Sequence, residues 1–131
     1  MSRKDILLKI ISTLKQLILL HQTLLIKKLK KRKGSAKAMS QMIRLIAQQE
    51  GVDPDLAVRV AQCESRLNPD AIRWNPGYGY DRGLYQWNEY WHPEVSIKQA
   101  FDPESATRLF CRAVKSGHLD WWNASRHCWN K

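Results

Sequence analysis

The first 73 residues contain no tryptophan, tyrosine or phenylalanine; all twelve such residues of the 131-residue chain lie beyond them. A segment without aromatic side chains has nothing on which bases can stack, so no nucleic-acid partner is expected for it despite its charge. Acidic residues are equally scarce there. Residues 1–37 hold Asp5 alone against eleven Lys and Arg, which gives 11 − 1 = +10. Residues 38–131 hold eleven of each sign and sum to zero. The basic character therefore belongs to an N-terminal arm and not to the rest of the chain. Cysteine is also sparse. Cys63, Cys111 and Cys128 are too few for a disulfide framework and wrongly spaced for a zinc site. No dinucleotide-binding glycine motif, phosphate-binding loop, HExxH pattern or internal repeat is present, so neither a metal nor a cofactor is expected.

The arm lacks the two strongest helix breakers: glycine first occurs at Gly34 and proline at Pro54. Ile6, Leu7, Ile10, Ile11, Leu14, Leu17, Ile18, Leu24, Leu25 and Leu29 recur at three- and four-residue spacing, which predicts one long amphipathic basic helix over residues 5–33. It ends in the patch KKLKKRK at 27–33, and Gly34-Ser35-Ala36 reads as a hinge. Its longest uncharged run, Gln16 to Ile26, is eleven residues, well short of the roughly 20 a membrane-spanning helix needs. A cleaved export signal fits poorly, because Lys9 and Lys15 interrupt the apolar stretch. Three readings of the arm remain: a helix lying on an anionic membrane surface, a self-associating helix through residues 5–33, and a solvated basic tether.

Residues 38–131 read as a separate, mainly α-helical domain. Asp53-Pro54 and Asp102-Pro103 are paired helix starts, with an Asp to cap and a Pro where its missing N–H costs nothing. They predict helices over about 54–66 and 103–116, the first with buried face Leu56, Val60, Cys63 and Leu67. An earlier helix near 40–50 ends at Gly51, and a short one near 119–126 closes the chain. Between the main helices, NPDAIRWNPGYGYDRG (68–83) is turn chemistry that predicts at most a small hairpin.

Two carboxylates stand out. Glu64 sits beside the apolar face of its predicted helix and near the C-terminus, where the helix dipole is negative. Both the dipole and partial burial favour a carboxyl that keeps its proton, as general acid catalysis requires. The plain alternative is a solvent-facing helix end paired with Arg66 or Arg82. Asp81 follows seventeen residues later in a polar loop that should leave it ionised; its plain alternative is a turn residue before Gly83. A protonated Glu facing an ionised Asp is the arrangement of glycoside hydrolysis. Trp74, Tyr78, Tyr80, Tyr85, Trp87, Tyr90 and Trp91, interleaved with Asn75, Gln86 and Asn88, supply aromatic faces and amides suited to sugar rings, although about half of such a set should fill the core. Cys111 falls off the apolar face of its predicted helix, which favours a Cys111–Cys128 disulfide.

The segment CESRLNPDAIRWNPGYGYDRGLYQWNEYW (63–91) resembles the region of the two catalytic carboxylates in C-type lysozymes, without a gap. Glu64-Ser65 followed by Gly83-Leu84-Tyr85-Gln86 also resembles lytic transglycosylases and goose-type lysozymes. The resemblance implies a lysozyme-like α+β fold with Glu64 as general acid and Asp81 as nucleophile or ion stabiliser. It implies that Asn75 orients Asp81. Gln86 and Asn88 would lie in the substrate cleft, and Trp91 would stack on a sugar; Tyr85 is expected among the substrate-binding aromatics, the plain alternative being that Tyr85 and Trp87, at alternate positions, fill the core. WWNASRHC (121–128) resembles the stretch where a Trp packs on the acid, which makes Trp121 the residue expected to line Glu64. It also brings the helix of Cys63 near Cys128, against the pairing favoured above. The eight-cysteine framework of C-type lysozymes is missing and the arm has no counterpart.

The expected function is therefore a peptidoglycan-cleaving glycosidase of the lysozyme or lytic transglycosylase type, acting in the cell envelope or outside the cell on the bond between N-acetylmuramic acid and N-acetylglucosamine. The alternative is a non-catalytic glycan-binding or envelope scaffold protein with a membrane- or partner-binding helix.

Overall fold

The computed structural model describes residues 1–131 as six α-helices, a short 3-10 segment and a three-stranded antiparallel sheet. Helix α1 (Arg3–Lys30) starts at a capping box in which Ser2 and Asp5 satisfy each other's backbone N–H groups. Helix α2 (Ala36–Glu50) begins about four residues earlier than the periodicity suggests, because the Ser35 side chain caps it. It stops at Gly51, whose φ of 76° only glycine adopts freely. Helices α3 (Pro54–Ser65), α4 (Ile97–Phe101) and α5 (Pro103–Lys115) start at Asp53, Ser96 and Asp102, each bonding a backbone N–H of the first turn. The chain closes with a 3-10 segment, Leu119–Ser125, and helix α6 (Arg126–Trp129).

Strands β1 (Ile72–Asn75), β2 (Gly79–Arg82) and β3 (Trp87–Asn88) lie between α3 and α4. The expected hairpin is β1–β2, and the short β3 extends it on the Asp81 side. The register sets Arg73 opposite Asp81 and Asp81 opposite Asn88. Residues alternate across a sheet, so Arg73, Asn75, Asp81 and Asn88 share one face, while Ile72, Trp74, Tyr80 and Arg82 share the other.

The core gathers the buried faces of α2, α3 and α5 around Tyr85, Phe110 and Trp122. Tyr85 stacks on Phe110 at 4.3 Å between ring centroids, a geometry that adds about 0.5–1.5 kcal/mol to burial. In α3 the buried face is Ala57, Val60, Ala61 and Ser65, rotated from the one expected; Leu56 and Cys63 are only half-buried. Small alanines let α3 approach closely enough for the Tyr85 hydroxyl to donate to the Ala57 carbonyl. Cys111 is fully buried and free, and the disulfide joins Cys63 to Cys128 with 6.0 Å between Cα atoms. The Cys111–Cys128 pairing is thereby overturned, since Cys111 packs inward among the helices.

Two side chains near the end of α1, Ile26 and Leu29, are buried in this same core. Lys30 pairs with Asp102 and Glu104, and Gln22 accepts a bond from Gln49. Residues 3–21 of α1 are exposed throughout. No helix is long and apolar enough to cross a membrane.

Candidate active site

A cleft of about 540 Å³ runs between the end of α3 and the sheet. Glu64, Arg73, Asn75, Asp81, Trp91 and Trp121 are among its lining residues. The two carboxylates thus face a common space from different elements.

Glu64 stands in the last turn of α3. Beyond it the chain reverses through two successive left-handed residues, Arg66 (φ 55°) and Leu67 (φ 61°), which tuck Leu67 into the core. Left-handed backbone at non-glycine residues costs roughly 1–3 kcal/mol each, so the surrounding packing holds this bend at the lip of the cleft. Neither expected partner reaches Glu64. Arg66 caps the helix with its backbone, and Arg82 pairs with Glu89 at 2.8 Å. The group that touches Glu64 is Ser125, whose hydroxyl donates to Oε1 at 2.8 Å. Trp129 Nε1 donates in turn to the Ser125 oxygen at 3.1 Å. Burial pushes the Glu64 carboxyl above its ordinary 4.5. The Ser125 bond and the Arg73 charge oppose that rise, and Asp81 adds to it.

Asp81 lies on β2 and is 4% exposed. Each of its oxygens is held: Arg73 Nη2 approaches Oδ2 at 3.0 Å, and Asn88 Nδ2 donates to Oδ1 at 2.8 Å. The guanidinium offsets the cost of burying the charge, and the amide fixes the carboxylate plane. Asn88 therefore does what was expected of Asn75. Its amide holds Asp81, and its Oδ1 accepts the backbone N–H groups of Tyr90 and Trp91, which positions the Trp91 loop. Asn75 lines the cleft without bonding Asp81.

The two walls are tied together by the residues between the carboxylates. Ser65, next to Glu64, donates to the Leu84 carbonyl at 2.8 Å. Gly83 has φ 82°, and a Cβ there would lie 1.8 Å from the Ala100 carbonyl oxygen, so only glycine fits. Gln86 folds its amide onto the carbonyls of Ala71 and Gly83. The pattern Glu-Ser followed by Gly-Leu-Tyr-Gln is thus largely a clamp that fixes the distance between helix and sheet. Gln86 lines the cleft, but its amide nitrogen is committed to that clamp.

Tyr85 is a correction. It borders the cleft, but its ring is 0% exposed within the core and its hydroxyl donates to the Ala57 carbonyl, so it presents no open ring face to a substrate. Its carbonyl accepts from Trp122 Nε1 at 2.9 Å, a structural link to the closing segment. Trp121 does line the cleft, stacked on His118 at 4.4 Å, while Ser125 makes the direct contact to Glu64. Trp91 is 61% exposed at the opposite rim, stacked on Tyr78 at 5.5 Å. An exposed Trp beside a cleft is an open platform for a ring.

Arg73 and Ser125 escaped the sequence reading. Arg73 was within reach of it: residues 73 and 81 lie symmetrically about Gly77, so a hairpin centred there sets Arg opposite Asp. Ser125 carries no such signal, because its contact with Glu64 spans 61 positions.

A family model described as "Lysozyme like domain" matches residues 44–124, more than half of the chain and both walls of the cleft. No curated protein and no solved structure matches. The chain belongs to the lysozyme-like domain family.

Proposed function

We propose that this protein cleaves the glycan strands of peptidoglycan, at the bond between N-acetylmuramic acid and N-acetylglucosamine, by general acid catalysis. The observation that carries the reading is a half-buried Glu64 carboxyl raised by burial, lining one cleft with an Asp81 carboxylate held by Arg73 and Asn88. Glu64 donates its proton to the glycosidic oxygen as the C–O bond breaks. Positive charge then builds on the sugar carbon and ring oxygen, and Asp81 stabilises it. Both Asp81 oxygens already accept strong donors and the group is buried, which favours electrostatic stabilisation over covalent attack. The neighbouring sugars pack on Trp91 and Trp121 at the rims. The site of action is the cell envelope, where this polymer lies.

The test is release of soluble fragments from purified peptidoglycan by the wild type and by Glu64→Gln, with the products identified by mass spectrometry. Muropeptides released by the wild type and lost in the variant support the proposal. New reducing ends identify a hydrolase; 1,6-anhydro ends identify a transglycosylase, in which the substrate's own 6-hydroxyl replaces water. Tight binding of the wild type without product would refute the enzymatic reading and leave a glycan-binding module.

A further inference from the structure

The feature that the cleft does not use is the free part of α1. Ile6, Leu7, Leu8, Ile10, Ile11, Leu14, Leu17, Ile18, Leu19, Leu20 and Leu24 are all exposed by roughly half. They occupy a stretch of helix about 30 Å long at 1.5 Å per residue. Contiguous exposed apolar surface on this scale marks an interaction site.

Turning by about 100° per residue, most of them fall on one side. Ile6, Leu7, Ile10, Ile11, Leu14, Leu17, Ile18 and Leu24 form a stripe, with Asp5, Ser12, Gln16 and Thr23 opposite. Leu25 and Leu29 continue the stripe and pack with Ile26 on the domain at the base of the helix, whereas residues 3–21 stay exposed, so docking α1 onto the core leaves the projecting part of the stripe uncovered. Leu8, Leu19 and Leu20 lie off it; four consecutive apolar residues, Leu17 to Leu20, cannot share one face. The helix is therefore more deeply apolar than a two-stranded seam requires.

Charge decides between occupants. The segment 1–37 carries +10, and its only acid is Asp5. Along residues 3–24, Arg3, Lys4, Lys9 and Lys15 are balanced by Asp5 alone, so two copies laid along each other would set mostly basic residues against basic residues. A surface of opposite sign has no such penalty. Arg3, Lys4, Lys9 and Lys15 along the free helix, with Lys27, Lys28 and Lys31 at its base, have long stems that bury their methylenes while the charged ends reach polar headgroups.

From this juxtaposition of an uncovered apolar stripe and flanking lysines on the projecting half of α1, we infer that residues 3–24 lie in the interface of a bilayer rich in acidic phospholipid. The apolar side sinks between the acyl chains, and the helix does not cross the membrane.

The experiment is co-sedimentation of the full chain with phosphatidylglycerol vesicles and with phosphatidylcholine vesicles, alongside sedimentation velocity without lipid. The expected result is binding to phosphatidylglycerol, weakened by salt, with little binding to phosphatidylcholine. Leu14→Glu with Ile18→Glu should weaken binding more than about tenfold by placing two charges in the stripe. Gln16→Glu with Thr23→Glu carries the same charge on the opposite side and should cost less than about threefold. Both pairs are exposed, so each variant keeps the fold and the cleft. Equal binding to both lipids, or equal loss in both variants, would overturn the inference. So would failure to bind together with concentration-dependent dimerisation abolished by Leu14→Glu and Ile18→Glu, which would assign the stripe to a second copy.

Discussion

On the helical wall of the cleft, Glu64 has one hydroxyl for a partner and no basic side chain within ion-pairing distance. On the sheet wall, Asp81 is more deeply buried yet carries a guanidinium on one oxygen and an amide on the other. Burial pushes the Glu64 carboxyl up, whereas the Asp81 carboxyl has a charged partner in Arg73. The difference lies in what each wall can deliver. A helix end presents carbonyls, which disfavour negative charge. A hairpin sets side chains of adjacent strands about 5 Å apart, and so brings a cation directly across from an anion. Acid and counter-charge in one cleft thus follow from the two kinds of secondary structure that form its sides.

The largest expected effect comes from removing the acid. Glu64→Gln should lower the turnover of peptidoglycan by about 10²–10⁴-fold, the usual contribution of a positioned general acid. Stability should move the other way. A carboxyl whose pKa is higher folded than unfolded stabilises the fold fully below its unfolded pKa, and that contribution is lost as pH rises through the folded value. The wild type should therefore lose stability relative to Glu64→Gln as pH rises above the ordinary value of 4.5. Thermal melts of both proteins at several pH values check the sign, and a wild type that gains stability relative to Glu64→Gln as pH rises would contradict it.

Next comes the disulfide that ties the helical wall together. Cys63 and Cys128 are separated by 65 positions, so opening the bridge should cost about 4 kcal/mol on the chain-entropy view. Cys63→Ser with Cys128→Ser should melt at lower temperature while keeping its products unchanged when cold. Because Ser125 lies in the tethered segment and the sheet does not, any activity lost should track Glu64 rather than Asp81. Asp81→Asn should reduce kcat by about 10²–10³-fold with little change in KM, since it acts where charge develops. It should cause little loss of stability, as Arg73 is exposed enough to be hydrated when its partner is gone.

The smallest effect sharpens the contrast most. The Ser125 bond holds the Glu64 carboxyl lower than burial alone would. Ser125→Ala should shift the alkaline limb of the pH–rate profile upward, while Arg108→Ala, remote on α5, should leave that limb in place. A downward shift in Ser125→Ala would show that the bond supports the neutral acid instead.

Much of this was legible in the chain. The helix starts at Asp53-Pro54 and Asp102-Pro103 and the stop at Gly51 were written in local capping chemistry. The hairpin was announced by its Asn, Pro and Gly. The pairing of Glu64 with Asp81 was suggested by their local chemistry and made specific by the resemblance of residues 63–91, because periodicity alone allowed a solvent-facing Glu. What stayed hidden was set by contacts between distant parts of the chain. The bury-or-expose decision for Tyr85 depended on the space that Ala57 and Ala61 leave between helices. The roles of Asn88 and Asn75 depended on which strand neighbours β2. The disulfide depended on where the last helix docks, and Cys111 sat inside the core although its local pattern put it outside.

The most direct test of the account is a titration of the Glu64 carboxyl itself, followed by carbon-detected NMR in wild-type protein, with Glu64→Gln identifying the resonance. The account predicts a midpoint above 4.5, moving higher in Ser125→Ala. A midpoint at or below 4.5 would contradict it, because burial in the cleft would then not favour the neutral acid on which the proposed cleavage rests.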